Sequence, residues 1–228
     1  MDAKERNPPS FRWYRNHPQP FEYCPRADFF DIADLVIQER RTLLTHDRLY
    51  VLWQAVLNVT GVSGAAAEVG SYRGGSAFFI ASAFVKATGG EVPIHVFDTF
   101  EGHPERSVTE HDPFQTVGHF KTSYKKVRAY LAPFQRVQVH AGDVLALLPV
   151  LEETTYRLVH IDTDLHQPTL ACLQYFGARL AKGGVIVVDD YGSGKCPGVY
   201  RAVSEYLAQT GGFQVWDMRT EQLALLNR

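Results

Sequence analysis

Cysteine is scarce in this chain of 228 residues, which has three. Cys24, Cys172 and Cys196 stand far apart and form neither a C-x-x-C pair nor a zinc spacing. An odd, unclustered set argues against a disulfide framework and for reduced thiols in a cytoplasmic setting. Net charge is missing too: the formal value of −2 leaves no electrostatic footprint for nucleic acid or an anionic membrane. No stretch reaches the roughly 20 apolar residues of a membrane span. The start, Met1-Asp2-Ala3-Lys4-Glu5-Arg6, mixes both signs with no apolar run behind it, so no secretory signal is expected. What is present, 45% hydrophobic and 21% charged residues, suits one medium-sized α/β domain with a full core.

Residues 1–27 are rich in Pro, Arg and aromatics, as in Phe11-Arg12-Trp13-Tyr14-Arg15. They read as an arm before the domain of residues 28–228. Such an arm would expose apolar surface, so it docks somewhere: on the surface, over a substrate pocket, or on a second copy in a homodimer. From Asp28 to Val59 apolar residues recur at helical spacing. Strands and helices then alternate. Strands are expected at 65–69, 93–97, 137–140, 157–161 and 185–188. Helices are expected at 76–86, 120–131, 144–151, 169–180 and 199–209, with Lys182-Gly183-Gly184 ending the fourth by the usual Gly signal. Phe213 to Met218 and Leu223 to Leu226 read as a terminal hairpin. Residues 100–115 form a long polar loop, of the length that is usually functional. Alternation of this kind predicts a parallel sheet with helices on both faces. Ligands of such sheets bind at the carboxyl ends of the strands.

The first strand ends Glu68-Val69-Gly70-Ser71-Tyr72-Arg73-Gly74-Gly75-Ser76. This G-x-x-x-G-G turn is neither the G-x-G-x-x-G of dinucleotide enzymes nor a P-loop. Glu68 beside it disfavours a phosphate and suits a cationic, hydroxylated ligand; S-adenosylmethionine is one. The second strand ends Asp98-Thr99, 28 residues after Gly70, where an α/β nucleotide site holds ribose hydroxyls. At the third, Gly142-Asp143 either faces an adenine or caps the next helix, and both roles can coexist. The fourth and fifth strands end Asp162-Thr163-Asp164 and Asp189-Asp190. Four carboxylates on one rim repel unless protonated or neutralised. With no soft ligands nearby, a hard cation on Asp162, Asp189 and Asp190 is the ordinary solution: Mg²⁺ or Ca²⁺, with Mn²⁺ an alternative. Asp162 or Asp164 can then serve as general base; His103, His111 and His166 rank below them.

These segments resemble metal-dependent O-methyltransferases of the catechol type, in Glu68–Ser76 and in the pairing of Asp162 with Asp189-Asp190. They are more similar to the macrocin-type O-methyltransferases, which methylate sugar hydroxyls of macrolide and aminocoumarin antibiotics. The similar runs are Val96-Phe97-Asp98-Thr99-Phe100-Glu101-Gly102, Ile161–Leu165, Gly183–Gly192, and Cys196-Pro197-Gly198 with Arg201-Ala202-Val203. The resemblance covers roughly residues 42–226. It implies a Rossmann-like class I methyltransferase fold with a seven-stranded, mostly parallel sheet and an antiparallel last strand. It also implies a methyl transfer from S-adenosylmethionine to a small-molecule hydroxyl, assisted by Mg²⁺ or Mn²⁺. The candidate cofactor residues are Glu68, Gly70, Ser71, Gly74, Ser76, Asp98, Thr99, Gly142, Asp143 and Asp162. His166 stands where the family commonly has Tyr, a departure that bears on the acceptor. A nicotinamide oxidoreductase, a metal-dependent hydrolase and a non-catalytic cofactor-binding protein are competing readings. Each leaves either the glycine turn or the carboxylate set unexplained.

Overall fold

The computed structural model describes residues 27–228. The expected arm lies outside them except for Ala27, which opens the first helix. In chain order the main elements are α1 (Ala27–Gln38), α2 (His46–Asn58), β1 (Ala65–Val69), α3 (Gly75–Thr88), β2 (Ile94–Asp98), α4 (Tyr124–Leu131), β3 (Val137–Ala141), α5 (Val144–Leu147), β4 (Tyr156–Ile161), α6 (His166–Gly177), β5 (Leu180–Val188), α7 (Pro197–Gln209), β6 (Phe213–Met218) and β7 (Gln222–Asn227). The sheet order is β3-β2-β1-β4-β5-β7-β6. All pairings from β3 to β5 are parallel, and β7 runs antiparallel to both neighbours. The chain therefore reverses direction outward from β1, and β1 and β4 lie side by side at the switch point.

Strand side chains alternate between two cores, as the period of two requires. Ala66, Ile94, Val96, Leu158, Val185 and Val187 pack under α1, α2 and α3. Ala67, Val69, Phe97, Val159, Ile161, Ile186 and Val188 pack under α6 and α7. All five residues of β1 are buried, as in a strand covered on both faces. Among the described residues no helix is long and apolar enough to cross a membrane.

Two sequence expectations are corrected. The helical pattern from Asp28 to Val59 is two helices. The first ends in a Schellman turn: Arg41 N–H donates to Val36 O and Arg40 N–H to Ile37 O, with Arg40 at φ 54°. Arg rather than Gly takes the left-handed position, so no glycine marks the stop. Conversely, Lys182-Gly183-Gly184 ends no helix. α6 stops at Gly177, and the glycine pair lies inside β5, where the pairing slips from Tyr156↔Leu180 to Leu158↔Val185. Gly183 has φ 80°, and a Cβ on Gly184 would sit 2.9 Å from Ala181 O. The pair is bulge chemistry, which needs glycine for the same reason a helix stop does.

The ends of β1 and β4 meet at Gly70. Asp162 N–H donates to Val69 O at 2.8 Å, and a Cβ on Gly70 would stand 1.8 Å from Asp162 O. Its φ of 89° adds strain for any L side chain. Gly70→Ala is expected to destabilise the fold by about 2–4 kcal/mol, from overpacking plus backbone strain. Urea unfolding at constant m-value measures it; a loss under about 1 kcal/mol would mean that the two strand ends separate easily.

Candidate active site

A cavity of about 690 Å³ opens at the carboxyl ends of the parallel strands. That volume is typical of cofactor and small-molecule sites. Val69, Phe97, Val144, Leu165 and Pro168 make one wall apolar, while Ser71, Asp98, Thr99, Asp143, Asp162, Asp164, Asp189 and Asp190 supply polar groups.

Asp98 organises the turn after β1. Its Oδ2 accepts from Ser71 N–H at 2.9 Å and Tyr72 N–H at 2.8 Å, and its Oδ1 accepts from Phe100 N–H at 2.6 Å. Burial raises its pKa and these bonds pull it back. The carboxylate thus fixes the loop that would lie against a ligand. Asp143 caps α5 by accepting from Leu145 N–H at 2.9 Å, while its other oxygen accepts from Arg106 Nε at 2.7 Å. The capping role is realised, and Asp143 still lines the cavity beside Gly142.

The β4 and β5 ends hold the charge. Oxygens of Asp162, Asp189 and Asp190 lie within 4.8 Å of one another. Burial raises Asp162 well above the ordinary carboxylate range, and Asp189, Asp164 and Asp190 push the same way. Burial and Asp189 raise Asp190 to about 7. Asp189 is raised by burial against the pull of Arg48. Arg48 Nη1 donates to Asp189 Oδ2 at 2.5 Å and to Asp190 Oδ1 at 3.0 Å. Asp189 Oδ1 is buried outside the reach of Arg48, and the buried Gln222 side chain also pulls Asp189 downward. Cys196 Sγ lies 3.6 Å from Asp164 Oδ1 and 3.5 Å from Asp190 Oδ2, and burial with these two charges pushes its thiol far up. A thiol so placed is disfavoured as a thiolate, and it sets a sulfur beside Asp164 and Asp190, where the sequence reading expected no soft ligand.

The segment from Thr99 to Ser123 folds back on itself and covers this rim. His103 N–H donates to His119 O at 3.0 Å and Gly118 N–H to His103 O at 2.9 Å, so His103 and Phe120 face the cavity. His103 Nε2 lies 3.2 Å from Asp164 Oδ2. Asp112, 1% exposed, is the anchor: Oδ1 accepts from His166 N–H at 2.8 Å at the start of α6, and Oδ2 accepts from Thr109 Oγ1 at 2.8 Å. Gly198 makes room for it, since a Cβ there would stand 2.1 Å from Asp112 Oδ1.

The sequence pattern of the macrocin-O-methyltransferase (TylF) family matches residues 19–213. The chain belongs to the macrocin O-methyltransferase family. One relative, an 8-demethyl-8-(2,3-dimethoxy-alpha-L-rhamnosyl)-tetracenomycin-C 4'-O-methyltransferase of Streptomyces olivaceus, is 28% identical over 72% of this chain and 66% of its own length. A demethyldecarbamoylnovobiocin O-methyltransferase of Streptomyces niveus is 26% identical over 74% of this chain and 68% of its own. The chain thus spans about two thirds of the length of each. Among solved structures, the O-methyltransferase NovP superposes with a TM-score of 0.73 at 23% identity over 82% of both chains. A Bacillus cereus O-methyltransferase in complex with SAH gives 0.59 at 13% identity, over 95% of this chain and 96% of its own. The structural likenesses show a class I methyltransferase fold.

Of the family-type residues named from sequence, Gly70, Ser71, Ser76, Asp98, Thr99, Gly142, Asp143, Asp162, Asp164, Asp189 and Asp190 line one cavity. Glu68 does not: it is fully buried on the α2–α3 side of the sheet, with Oε1 3.3 Å from His160 Nδ1. Strand alternation turns it away from the rim that Val69's carbonyl end faces. Gly74 does not line the cavity either; it starts α3 at φ 83°, and a Cβ there would meet Val127 and Tyr130. His103 reaches the rim, whereas His166 Nε2 lies 3.1 Å from Glu205 Oε2 and His111 packs on the His166 ring. Arg48 and Cys196 were not anticipated as lining residues. A carboxylate cluster calls for a cation, and that was the one signal pointing to Arg48.

Asp112→Ala is expected to free the covering loop. Tryptic cleavage at Arg106 or Lys121 should accelerate several-fold while the thermal midpoint falls only slightly, since one lost cap is worth about 1 kcal/mol. Unchanged protection would show that the loop is held elsewhere.

Proposed function

We propose that this protein transfers a methyl group from S-adenosylmethionine to a hydroxyl of a small molecule, a sugar or other natural-product hydroxyl, assisted by a divalent cation, Mg²⁺ or Mn²⁺. The methyl donor follows from the family. The sugar reading is supported by the relative named for a rhamnosyl-tetracenomycin. A net charge of −2 also suits a small acceptor better than nucleic acid.

The observation that carries the cation is the cluster of three carboxylates whose oxygens lie within 4.8 Å of one another, with Asp189 Oδ1 buried and not taken by Arg48. Buried carboxylates so crowded are costly without countercharge, and hard oxygen donors suit Mg²⁺ or Mn²⁺. Asp162, Asp189 and Asp190 would hold the ion. Ser71, Asp98, Thr99, Gly142 and Asp143 would hold the cofactor. When bound, S-adenosylmethionine supplies an electrophilic methyl group and the cation supplies a Lewis acid that acidifies an acceptor hydroxyl. Asp164 would take the acceptor's proton. It sits at the cavity with φ 60°, and His103 orients its Oδ2. The loop from Thr99 to Ser123 would exclude water, and the strand ends would hold both reactants in one place. One observation favours a metal-independent reading: Arg48 already neutralises part of the cluster.

Calorimetric titration decides between them. With S-adenosylhomocysteine bound, Mg²⁺ should give a separate binding event that EDTA abolishes and Asp189→Asn removes, together with methyl transfer. Cofactor binding with no metal event, and full turnover in Asp189→Asn, would establish the metal-independent reaction.

A further inference from the structure

Arg48 shares the carboxylate cluster in a particular way. Its Nη1 takes Oδ2 of Asp189 at 2.5 Å and Oδ1 of Asp190 at 3.0 Å. The remaining oxygen of Asp189, Oδ1, is buried on the side of the Gln222 amide, which pulls Asp189 downward, and that of Asp190, Oδ2, has the Cys196 thiol at 3.5 Å. The guanidinium therefore holds one oxygen of each carboxylate, and both carboxylates bring an oxygen within 4.8 Å of one of Asp162. Its Nη2 is tied in turn to Glu221 Oε2, on the turn between β6 and β7. The fork thus spans α2, the end of β5 and the terminal hairpin.

We propose that Arg48 is a positioning residue of the metal centre: it holds the Asp189 and Asp190 carboxylates in the orientation in which they meet the cation together with Asp162. This rests on the metal reading above. Two effects oppose each other. The charge of the guanidinium repels a divalent ion, while its planar fork fixes the ligands. Geometry should win, because the Asp189 side chain is 1% exposed and depends on protein groups for its donors. Groups that orient metal ligands typically matter by about 10–100-fold in metal affinity.

The deciding variant keeps the charge and loses the fork. In the full chain, Arg48→Lys should bind Mn²⁺, followed by electron paramagnetic resonance, at least about tenfold more weakly than the unaltered protein. S-adenosylhomocysteine affinity should stay unchanged, which separates this effect from misfolding. Glu221→Gln, on a side chain 49% exposed, loosens only the outer tether and should give a smaller loss in the same direction. It decides the matter if Arg48→Lys fails to bind S-adenosylhomocysteine. Mn²⁺ binding in Arg48→Lys equal to that of the unaltered protein would overturn the positioning role. So would tighter binding in Arg48→Met, which would make Arg48 an electrostatic antagonist of the ion. If the unaltered protein binds no Mn²⁺, the metal reading fails and this inference with it; binding in the unaltered protein with no loss in Arg48→Lys sinks this inference alone.

Discussion

Four carboxylates, those of Asp162, Asp164, Asp189 and Asp190, share one end of a sheet where little water reaches them. Like charges in a low-dielectric site repel strongly. A fold that keeps them there must supply countercharge, and much of the surrounding structure can be understood as that supply. Arg48 is brought from the first turn of α2, and burial alone would lower its pKa. Asp189 and Asp190 outweigh that and keep the guanidinium charged. His160, fully buried beside Glu68, also pulls Asp189 downward from behind the sheet. Compensation remains partial, since Asp162 is still raised well above the ordinary carboxylate range and Asp190 to about 7. Partial compensation is what a binding site for a cation requires: a cluster already satisfied would have no affinity to spare.

The fold was legible where hydrophobic periodicity and strand-end chemistry agree. The five parallel strands and the terminal hairpin follow from apolar runs bounded by Gly and Asp. The two misread boundaries share a cause. Glycine signals a backbone conformation, not an element. Gly183 uses its freedom for a bulge within β5, while α1 ends on Arg40, which adopts the left-handed conformation unaided by sequence. Neither distinction is visible without the neighbouring strand or helix.

The site was legible to the extent that it sits on strand ends. Eleven candidate positions converge because parallel register carries each strand's last residues to one rim. Glu68 stands apart from the cavity for the reason that the others line it. Side chains alternate along β1, so the residue two before Gly70 points to the helix layer while the backbone after it turns to the cavity. Residues that reach the site from outside the sheet left no local trace. Arg48 reads as a polar position of an amphipathic helix. Asp112 reads as a loop acid before Pro113, and its meaning appears only when Gly198 and the start of α6 close around it.

Gly70 shows how little separates the two halves of the site. Its missing side chain lets the Asp162 carbonyl approach, so the loop shaped by Asp98 and the rim that carries Asp162 are joined by one backbone contact. A reaction between two bound molecules gains most of its advantage from fixing their separation. Here that separation would be set by sheet register rather than by flexible side chains, which is the more rigid of the two supports. The covering loop adds the opposite property. Its hold on the scaffold runs through few side chains, chiefly Asp112, Arg106 and His103, so it can yield to an acceptor without disturbing the strand ends. Rigid register beneath and a lightly tethered cover above divide the work: the sheet would govern the chemistry, and the loop would govern which hydroxyl reaches it.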